Sequence, residues 1–285
     1  MQCPRCLERN ENYFFTGSKG IYCRKCIQFK RFLMEQEIKE EGKTYLGVDA
    51  EYRLSFQLTP DQMKCSRQLC FALEQESVLV HAVCGAGKTE IIMESIKRYL
   101  KKGLRVGIAI PRRQVVLELA ERLQRAFPFI SVVPVCQGYT KNTVGTLIVC
   151  TTHQLFRYYQ YFDLLIVDEP DAYPYAGNAV LQGIVQTSCI GRLVYLTATP
   201  DEELLKLKTI QLFRRPHGFP LVEPNVKIAP KIVLLLLLRK WINTQSYSLI
   251  FVFACNNLIQ QRAKQTWQRS CRGRAAKPCE NLFFE

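Results

Sequence analysis

Short apolar runs alternate with helix-like stretches between about residues 55 and 215. The runs are SVLVHAV, LRVGIAI, TLIVC, FDLLIVD and GRLVYLTAT. The stretches TEIIMESIKRYLKKG and QVVLELAERLQRAF repeat their apolar positions at the helical period. Apolar strands that are separated by amphipathic helices are typical of a parallel sheet covered on both faces. The pattern therefore predicts an α/β fold.

Segments on either side of this region break the alternation. Residues 1–45 are rich in cysteine and charge, and their last part predicts an amphipathic helix with Gly42 as its C-cap. Residues 214–224, RRPHGFPLVEP, contain three prolines and one glycine and predict a linker. After it, KIVLLLLLRKWINTQ and YSLIFVF indicate the first helix and strand of a second α/β unit, although the leucine run fits a helix or a strand. The predicted domains are 1–45, 46–213 and 214–285, the last being the linker and an incomplete second domain.

The charge is strongly basic, with 39 Lys and Arg against 25 Asp and Glu and a formal net charge of +14. That balance favours a polyanionic partner such as nucleic acid or an acidic membrane surface, although a merely basic soluble protein has the same composition. The apolar run Val233 to Leu238 is far shorter than the ~18 residues of a membrane span. The 13 cysteines are odd in number and MQCPRC has no signal-peptide pattern, so a reducing cytoplasm is expected.

Four cysteines form two pairs near the N-terminus. Cys3-x2-Cys6 and Cys23-x2-Cys26 are separated by sixteen residues, which is the spacing of a tetrahedral zinc site. The intervening YFFTGSKG predicts a short hairpin. Four free thiols or a redox pair remain the alternative. Basic and aromatic residues interleave in this segment, a mixture that suits either phosphates and stacked bases or the small core of a zinc fold.

The run AVCGAGKT, residues 82–89, follows an apolar strand and opens a helix, which is where a phosphate-binding loop lies. Its glycines let backbone N–H groups converge on the phosphates, Lys88 reaches the β- and γ-phosphates, and the Thr89 hydroxyl ligates Mg²⁺. Ala82 stands where the motif usually has its first glycine, and the flanking strand and helix offset that departure. The predicted nucleotide-binding residues of this loop are Gly85, Ala86, Gly87, Lys88 and Thr89.

A metal-anchoring carboxylate is expected on a neighbouring strand, and FDLLIVDEPDAYPY supplies one. Asp168 ends the apolar run and Glu169 follows it. We expect Asp168 to hold Mg²⁺ through water and Glu169 to orient or deprotonate the attacking water. The predicted catalytic residues are therefore Lys88, Asp168 and Glu169. A lone Asp-Glu pair is more simply interpreted as a helix N-cap, and the phosphate loop upstream argues against that interpretation.

Further motifs are LTPDQ at 58–62, IPRRQVVLELAERL at 110–123, CTTHQL at 150–155 and LTATP at 196–200. Their order resembles that of the superfamily 2 helicases, and primosomal PriA-type helicases have similar motifs. Together with GAGKTE, DEPDAYPY and the four cysteines, the chain resembles the ComFA proteins, the helicase-like ATPases of bacterial competence, over residues 1 to about 253. The resemblance implies a RecA-like P-loop NTPase domain with a small zinc module in front and an incomplete second RecA-like domain behind.

Residue roles follow from that resemblance. Gln62 would read the adenine of ATP. Coupling of hydrolysis to domain movement is implied for Thr197, Ala198 and Thr199, and contact with the DNA backbone is implied for Arg112, Arg113, Thr151 and Thr152. The residues themselves leave alternatives open: an exposed loop glutamine at 62, a solvated helix start at the arginine pair, and threonines that cap a helix beginning near His153.

The family also implies the activity, an ATP-dependent DNA translocase that drives single-stranded DNA inward during transformation. ATP, Mg²⁺ and Zn²⁺ are the implied cofactors. The implied partners are single-stranded DNA, competence proteins such as ComFC and the membrane DNA channel, with self-association as a further expectation and a place at the inner face of the membrane. Two other functions stay open, namely a zinc-dependent nucleic-acid-binding adaptor with little hydrolysis and a small-molecule P-loop kinase.

The resemblance ends early in the second domain. LIFVF at 249–253 resembles the first strand of that domain, but no Q-x-x-G-R-x-G-R follows, and Arg272-Gly273-Arg274 has too little chain before it. The basic, aperiodic tail is expected to be a truncated or frame-shifted ending. Because an arginine finger contributes about 10³ to 10⁵ in kcat in related NTPases, we expect this chain to bind ATP and to turn it over poorly.

Overall fold

The structure is a computed structural model, and it describes residues 1–18, 20–29 and 47–218. The predicted helix that ends at Gly42, the second α/β unit and the basic tail lie outside these residues. Within the described ranges, no helix combines the length and the apolar character that crossing a bilayer requires.

An antiparallel hairpin and a parallel sheet contain all the named strands of the described residues. The strands are β1 (Phe14–Gly17), β2 (Gly20–Cys23), β3 (Val78–Ala82), β4 (Val106–Ile110), β5 (Val132–Val135), β6 (Leu147–Thr151), β7 (Phe162–Asp168), β8 (Cys189–Thr197) and β9 (Lys208–Leu212). The seven-stranded sheet has the order β5-β6-β4-β7-β8-β3-β9, and every pairing in it is parallel. The predicted parallel α/β fold is confirmed.

The apolar runs account for β3, β4, β6, β7 and β8, whereas the pattern misses β5 and β9 at the two edges of the sheet. Pro134 interrupts β5 with a residue that cannot donate to the ladder, and β9, KTIQL, carries polar residues at Lys208, Thr209 and Gln211. Edge strands are paired on one side only, so their sequences need no continuous apolar run.

The strand order places β8 between β3 and β7. In register, Asp168 at the end of β7 is the partner of Leu196, and Leu196 is the partner of Val80 in β3. Parallel strands end at the same edge of a sheet, and two strand spacings separate β3 from β7 by about 9–10 Å. The chain that follows β3 and the carboxylate that ends β7 therefore lie at the same edge of the sheet, separated by one strand.

Three helices cover one face of the sheet: α1 (Pro60–Ala72), α2 (Lys88–Lys101) and α3 (Arg113–Ala126). Their apolar stripes form one buried cluster with the inward side chains of the strands, including Leu69, Ile92 and Val116. The sequence pattern predicted both α2 and α3, because their apolar positions recur every three to four residues.

The other face is covered differently. Helix α4 (Ala179–Ser188) and a short 3₁₀ helix, Thr152–Arg157, share it with the cysteine module, by which we mean the described residues 1–18 and 20–29. The module contains the predicted hairpin, β1 paired with β2. It is packed on the domain by direct contacts: the Thr187 hydroxyl donates to the Arg5 carbonyl at 2.7 Å, and the Phe29 and Phe156 rings lie 6.1 Å apart. The cysteine module thus covers the part of this face that α4 and the 3₁₀ helix leave open.

Candidate nucleotide-binding site

The phosphate loop, residues 83–87, leads from β3 into α2 at the C-terminal edge of the sheet. Gly85 and Gly87 have φ values of +76° and +83°, in the left-handed region that favours glycine. The N–H groups of Gly87, Lys88 and Thr89 have no backbone acceptor among the described residues. Free N–H groups at the start of a helix, together with the helix dipole, favour an anion. The loop has the geometry that phosphate binding requires.

Gln62 holds this loop against α1. Its side chain is 1% exposed, its Nε2 donates to the Ala86 carbonyl at 2.8 Å, and its Oε1 accepts from the Thr59 N–H at 2.9 Å. A Cβ on Gly87 would clash with the Gln62 amide, so the loop and the glutamine approach closely. The alternative of an exposed loop glutamine is wrong. The adenine contact of Gln62 stays a prediction.

Asp168 lies close enough to Lys88 for their charges to interact. Burial raises the pKa of Asp168 to about 6, the positive charge of Lys88 acts to lower it, and the adjacent Glu169 carboxylate acts to raise it. Glu169 turns the chain out of the sheet with φ +50°, and its N–H donates to the Leu196 carbonyl at 3.0 Å. Carboxylate and hydroxyl oxygens suit Mg²⁺, so Asp168 and Thr89 are chemically fit to hold that ion beside a bound phosphate.

Asp171 joins the acidic motif to LTATP. Its two carboxylate oxygens accept hydrogen bonds from the hydroxyls of Thr197 and Thr199, each at 2.5 Å. Burial acts to raise the pKa of Asp171, but the two threonine bonds hold that pKa below its usual range. Between the threonines, the Ala198 carbonyl accepts from His81 Nε2 at 3.2 Å. The structure thus brings together the predicted coupling residues.

Sequence reasoning did not select Asp171 or His81 as site residues. Asp171 is the last acidic residue of DEPD, so its place in that motif was a usable signal. His81 lies in β3 opposite Thr197 in β8, and only the strand register reveals that it meets the LTATP segment. A residue whose role depends on a pairing across 116 positions carries no local signal.

The four predicted DNA-contact residues differ in exposure. Arg112 and Arg113 are exposed at the start of α3, where Arg113 Nε donates to the Gln137 carbonyl at 2.8 Å. Thr151 is the last residue of β6, which pairs with β4, and Thr152 follows it, but the two residues are only 8% and 1% exposed. The 3₁₀ helix has no side-chain capping bond, and the Thr152 hydroxyl has no partner among the described residues. The arginines therefore present donors to solvent, whereas Thr152 is buried.

The four cysteines of the two pairs converge. Their sulfur atoms all lie within 4.8 Å of one another and are buried, with Cys3 and Cys26 Sγ atoms 3.6 Å apart and Cys6 and Cys23 Sγ atoms 3.8 Å apart. Four sulfurs at about 2.3 Å from a tetrahedral zinc would be about 3.8 Å apart. The cluster therefore fits a tetrahedral metal ion, and a thiolate set of this kind favours zinc.

Comparisons with known proteins find two similar competence proteins. The chain is 37% identical over 241 residues to "Competence protein ComFA" of Bacillus subtilis (strain 168), covering 79% of this chain and 52% of that protein. It is 39% identical over 233 residues to "Competence protein ComFA" of Streptococcus pneumoniae (strain ATCC BAA-255 / R6), covering 78% of this chain and 54% of that protein. The chain spans about half the length of the curated relatives it matches.

A solved structure, "Crystal structure of Pyrococcus furiosus Hef helicase domain", is also similar, with a TM-score of 0.42, 18% identity, and coverage of 73% of this chain and 53% of that one. The resemblance to ComFA proteins that the motifs indicated is confirmed by the two curated relatives. A family model described as "Type III restriction enzyme, res subunit" matches residues 55–202, which is more than half of the 285 residues, and the chain belongs to that family.

Proposed function

We propose that the chain binds MgATP and belongs to an ATP-dependent DNA translocase of the kind that takes up single-stranded DNA in competence. The observation that carries the proposal is the meeting of three distant segments at one edge of the sheet. The phosphate loop, the end of β7 and the LTATP segment after β8 are neighbours there, and Asp171 bridges two of them through Thr197.

In this proposal, the loop N–H groups and Lys88 bind the β- and γ-phosphates. Thr89 and Asp168 hold Mg²⁺, and Glu169 orients or deprotonates the attacking water. Mg²⁺ would neutralise charge that develops on the phosphate oxygens. Asp171, through its two threonine bonds, would transmit the state of the acidic motif to the segment that follows β8.

Nucleic-acid contact is supported by the net charge of +14 and by the exposed arginines at the start of α3. The names of the two curated relatives support a role in competence, which we propose to be DNA uptake. The proposed partners are single-stranded DNA, ComFC and the membrane channel, and the proposed location is the cytoplasmic side of the membrane. The sulfur geometry supports Zn²⁺ in the cysteine module. Thr151 and Thr152 stay predicted DNA contacts, with burial arguing for a structural part at Thr152.

The test measures binding of a fluorescent ATP analogue and steady-state ATP hydrolysis, with and without single-stranded DNA. We expect Lys88→Ala to lower nucleotide affinity by about tenfold or more, since bonds to a charged group are lost. Asp168→Ala should likewise lower the affinity measured in Mg²⁺ by about tenfold or more, so that the Mg²⁺ dependence of nucleotide binding disappears. Lys102→Ala, an exposed lysine at the end of α2, is the matched control.

Stimulation of hydrolysis by DNA supports the translocase. DNA binding without turnover supports the adaptor instead. Unchanged ATP affinity in Lys88→Ala would show that the site has been assigned to the wrong residues.

A further inference from the structure

The segment that follows β9 leaves the sheet beside the phosphate loop. Strand β9 pairs with β3 up to Ala82 and Leu212, and the Val83 N–H, the first of the loop, donates to the Leu212 carbonyl at 3.2 Å. Parallel pairing therefore sends residues 213–215 along the same edge that the loop occupies. This segment has no part in the function proposed above, and the sequence pattern treated it only as the start of a linker.

Two arginines in this segment diverge. Arg214 is exposed and its Nη1 lies 3.7 Å from Asp61 Oδ2 at the start of α1. Arg215 is partly buried, and its Nε donates to the Cys84 carbonyl, inside the phosphate loop, at 2.9 Å. The Arg215 Nε and Cζ atoms lie 3.5 and 3.8 Å from the position that a Cβ on Gly85 would take. The second guanidinium is therefore held on the loop itself.

The Arg215 guanidinium has more hydrogen-bond donors than its bond to Cys84 uses. Arginine carries five N–H groups in a planar fork and stays charged at any ordinary pH. The bond to Cys84 uses the Nε–H, which leaves the two terminal NH₂ groups beside a loop whose own N–H groups are arranged for an anion. Arginine and phosphate form charge-assisted, often bidentate hydrogen bonds, so the pairing of these groups is chemically favoured.

We propose that Arg215 is a nucleotide-binding residue whose terminal NH₂ groups contact the polyphosphate of the ATP or ADP held by the phosphate loop. The inference rests on the proposed nucleotide site and adds to it a protein side chain that is 131 residues away from Cys84 in the sequence. It also has a structural consequence: because Arg215 is anchored on Cys84 and contacts the ligand, the chain leaving β9 is tied to the occupancy of the loop.

The test is a titration of the full chain with a fluorescent ATP analogue, in Mg²⁺, for wild type, Arg215→Ala, Arg215→Lys and Arg214→Ala. We expect Arg215→Ala to weaken binding by about tenfold or more and Arg214→Ala by less than about twofold, because only the first removes a bond to a charged ligand. Arg215→Lys keeps the charge without the fork and should fall between them. Thermal unfolding of each variant separates a binding defect from a folding defect.

Competition by inorganic tripolyphosphate assigns the contact. If Arg215 binds phosphate, its alanine variant should weaken tripolyphosphate by the same factor as ATP. The inference is overturned if Arg215→Ala keeps wild-type affinity for tripolyphosphate. It is also overturned if Arg215→Ala binds ATP as tightly as wild type while Lys88→Ala, measured in parallel, does not bind it. Either result leaves the nucleotide site standing. Absence of ATP binding by the folded wild type overturns the proposed function and the inference with it.

Discussion

The cysteine module and the phosphate loop are both short motifs, but they are held in opposite ways. The four sulfurs converge within 26 residues and are buried, with their layer packed on α4. The loop is open enough to expose Cys84, and its partners come from α1, β7 and the segment after β9. The module is thus part of what holds the domain together, whereas the loop is kept available for a ligand. Damage to the first should cost stability, and damage to the second should cost binding.

Removal of one sulfur should give the largest effect. We expect Cys23→Ser to lose the bound metal and to lower the free energy of unfolding by several kcal/mol, since structural zinc contributes about 10–16 kcal/mol to the folding of comparable peptides. Thermal unfolding followed by circular dichroism, with metal content measured on the same sample, checks this. Cys84→Ser, the same change at an exposed thiol, should stay within about 0.5 kcal/mol of wild type. Equal unfolding of both variants would remove the contrast.

The contact between the module and α4 can be tested by whether one substitution raises or lowers the free energy of unfolding. A Cβ on Gly183 would clash with the Cys6 carbonyl, so Gly183→Ala should destabilise the domain by about 2–3 kcal/mol. Without that contact, the same change in a helix would stabilise by up to about 1 kcal/mol. Denaturant unfolding measures the difference, with Gln186→Ala on the exposed side of α4 as control. In the Cys23→Ser background the cost should disappear, and its persistence there would contradict the docking.

The loop side should respond in the opposite direction. The raised pKa of Asp168, about 6, exceeds the ordinary value near 3.9, so the folded state binds this proton more tightly than the unfolded state. The stabilisation that protonated Asp168 gives the folded state is complete below about pH 4 and is lost as the pH rises through 6. The ionised carboxylate therefore costs stability at pH 7.5, and Asp168→Asn should raise the free energy of unfolding there by about 3 kcal/mol.

The check is urea unfolding without Mg²⁺ from pH 4 to 8, with the exposed Asp49→Asn as the matched variant. The gain from Asp168→Asn should vanish near pH 4, and Asp49→Asn should show no gain at any pH. The same Asp168→Asn protein should lose the Mg²⁺ dependence of ATP binding. A destabilised Asp168→Asn would mean that the carboxylate is structural, and the contrast between the two regions would fail.

Motifs with fixed spacing located the candidate residues of both regions. The two C-x2-C pairs identified the converging sulfurs, and the loop motif with the strand-end carboxylate identified Lys88 and Asp168, whose charges interact. The interior strands were predicted because both of their faces are buried, which demands continuous apolar runs. Strands β5 and β9 lie at the edges and escape that demand.

What the sequence could not show are contacts between segments far apart in the chain. The packing of Cys6 on Gly183 leaves no signal beyond one glycine in a helix. The bond from Arg215 to Cys84 depends on the pairing of β9 with β3, and β9 itself was not predicted. The sequence marked Gln62 only by its place in the LTPDQ motif, and its burial against the loop followed only from the position of α1.

Binding of MgATP by the phosphate loop can be tested on the exposed thiol of Cys84. The rate of Cys84 alkylation by N-ethylmaleimide would be measured by mass spectrometry of the peptide, which does not depend on turnover. At an ATP concentration about ten times Kd, we expect roughly tenfold slower alkylation with Mg²⁺, because the ligand-free fraction falls to about a tenth. We expect no protection in Lys88→Ala. Equal alkylation rates with and without MgATP in the wild type would contradict it.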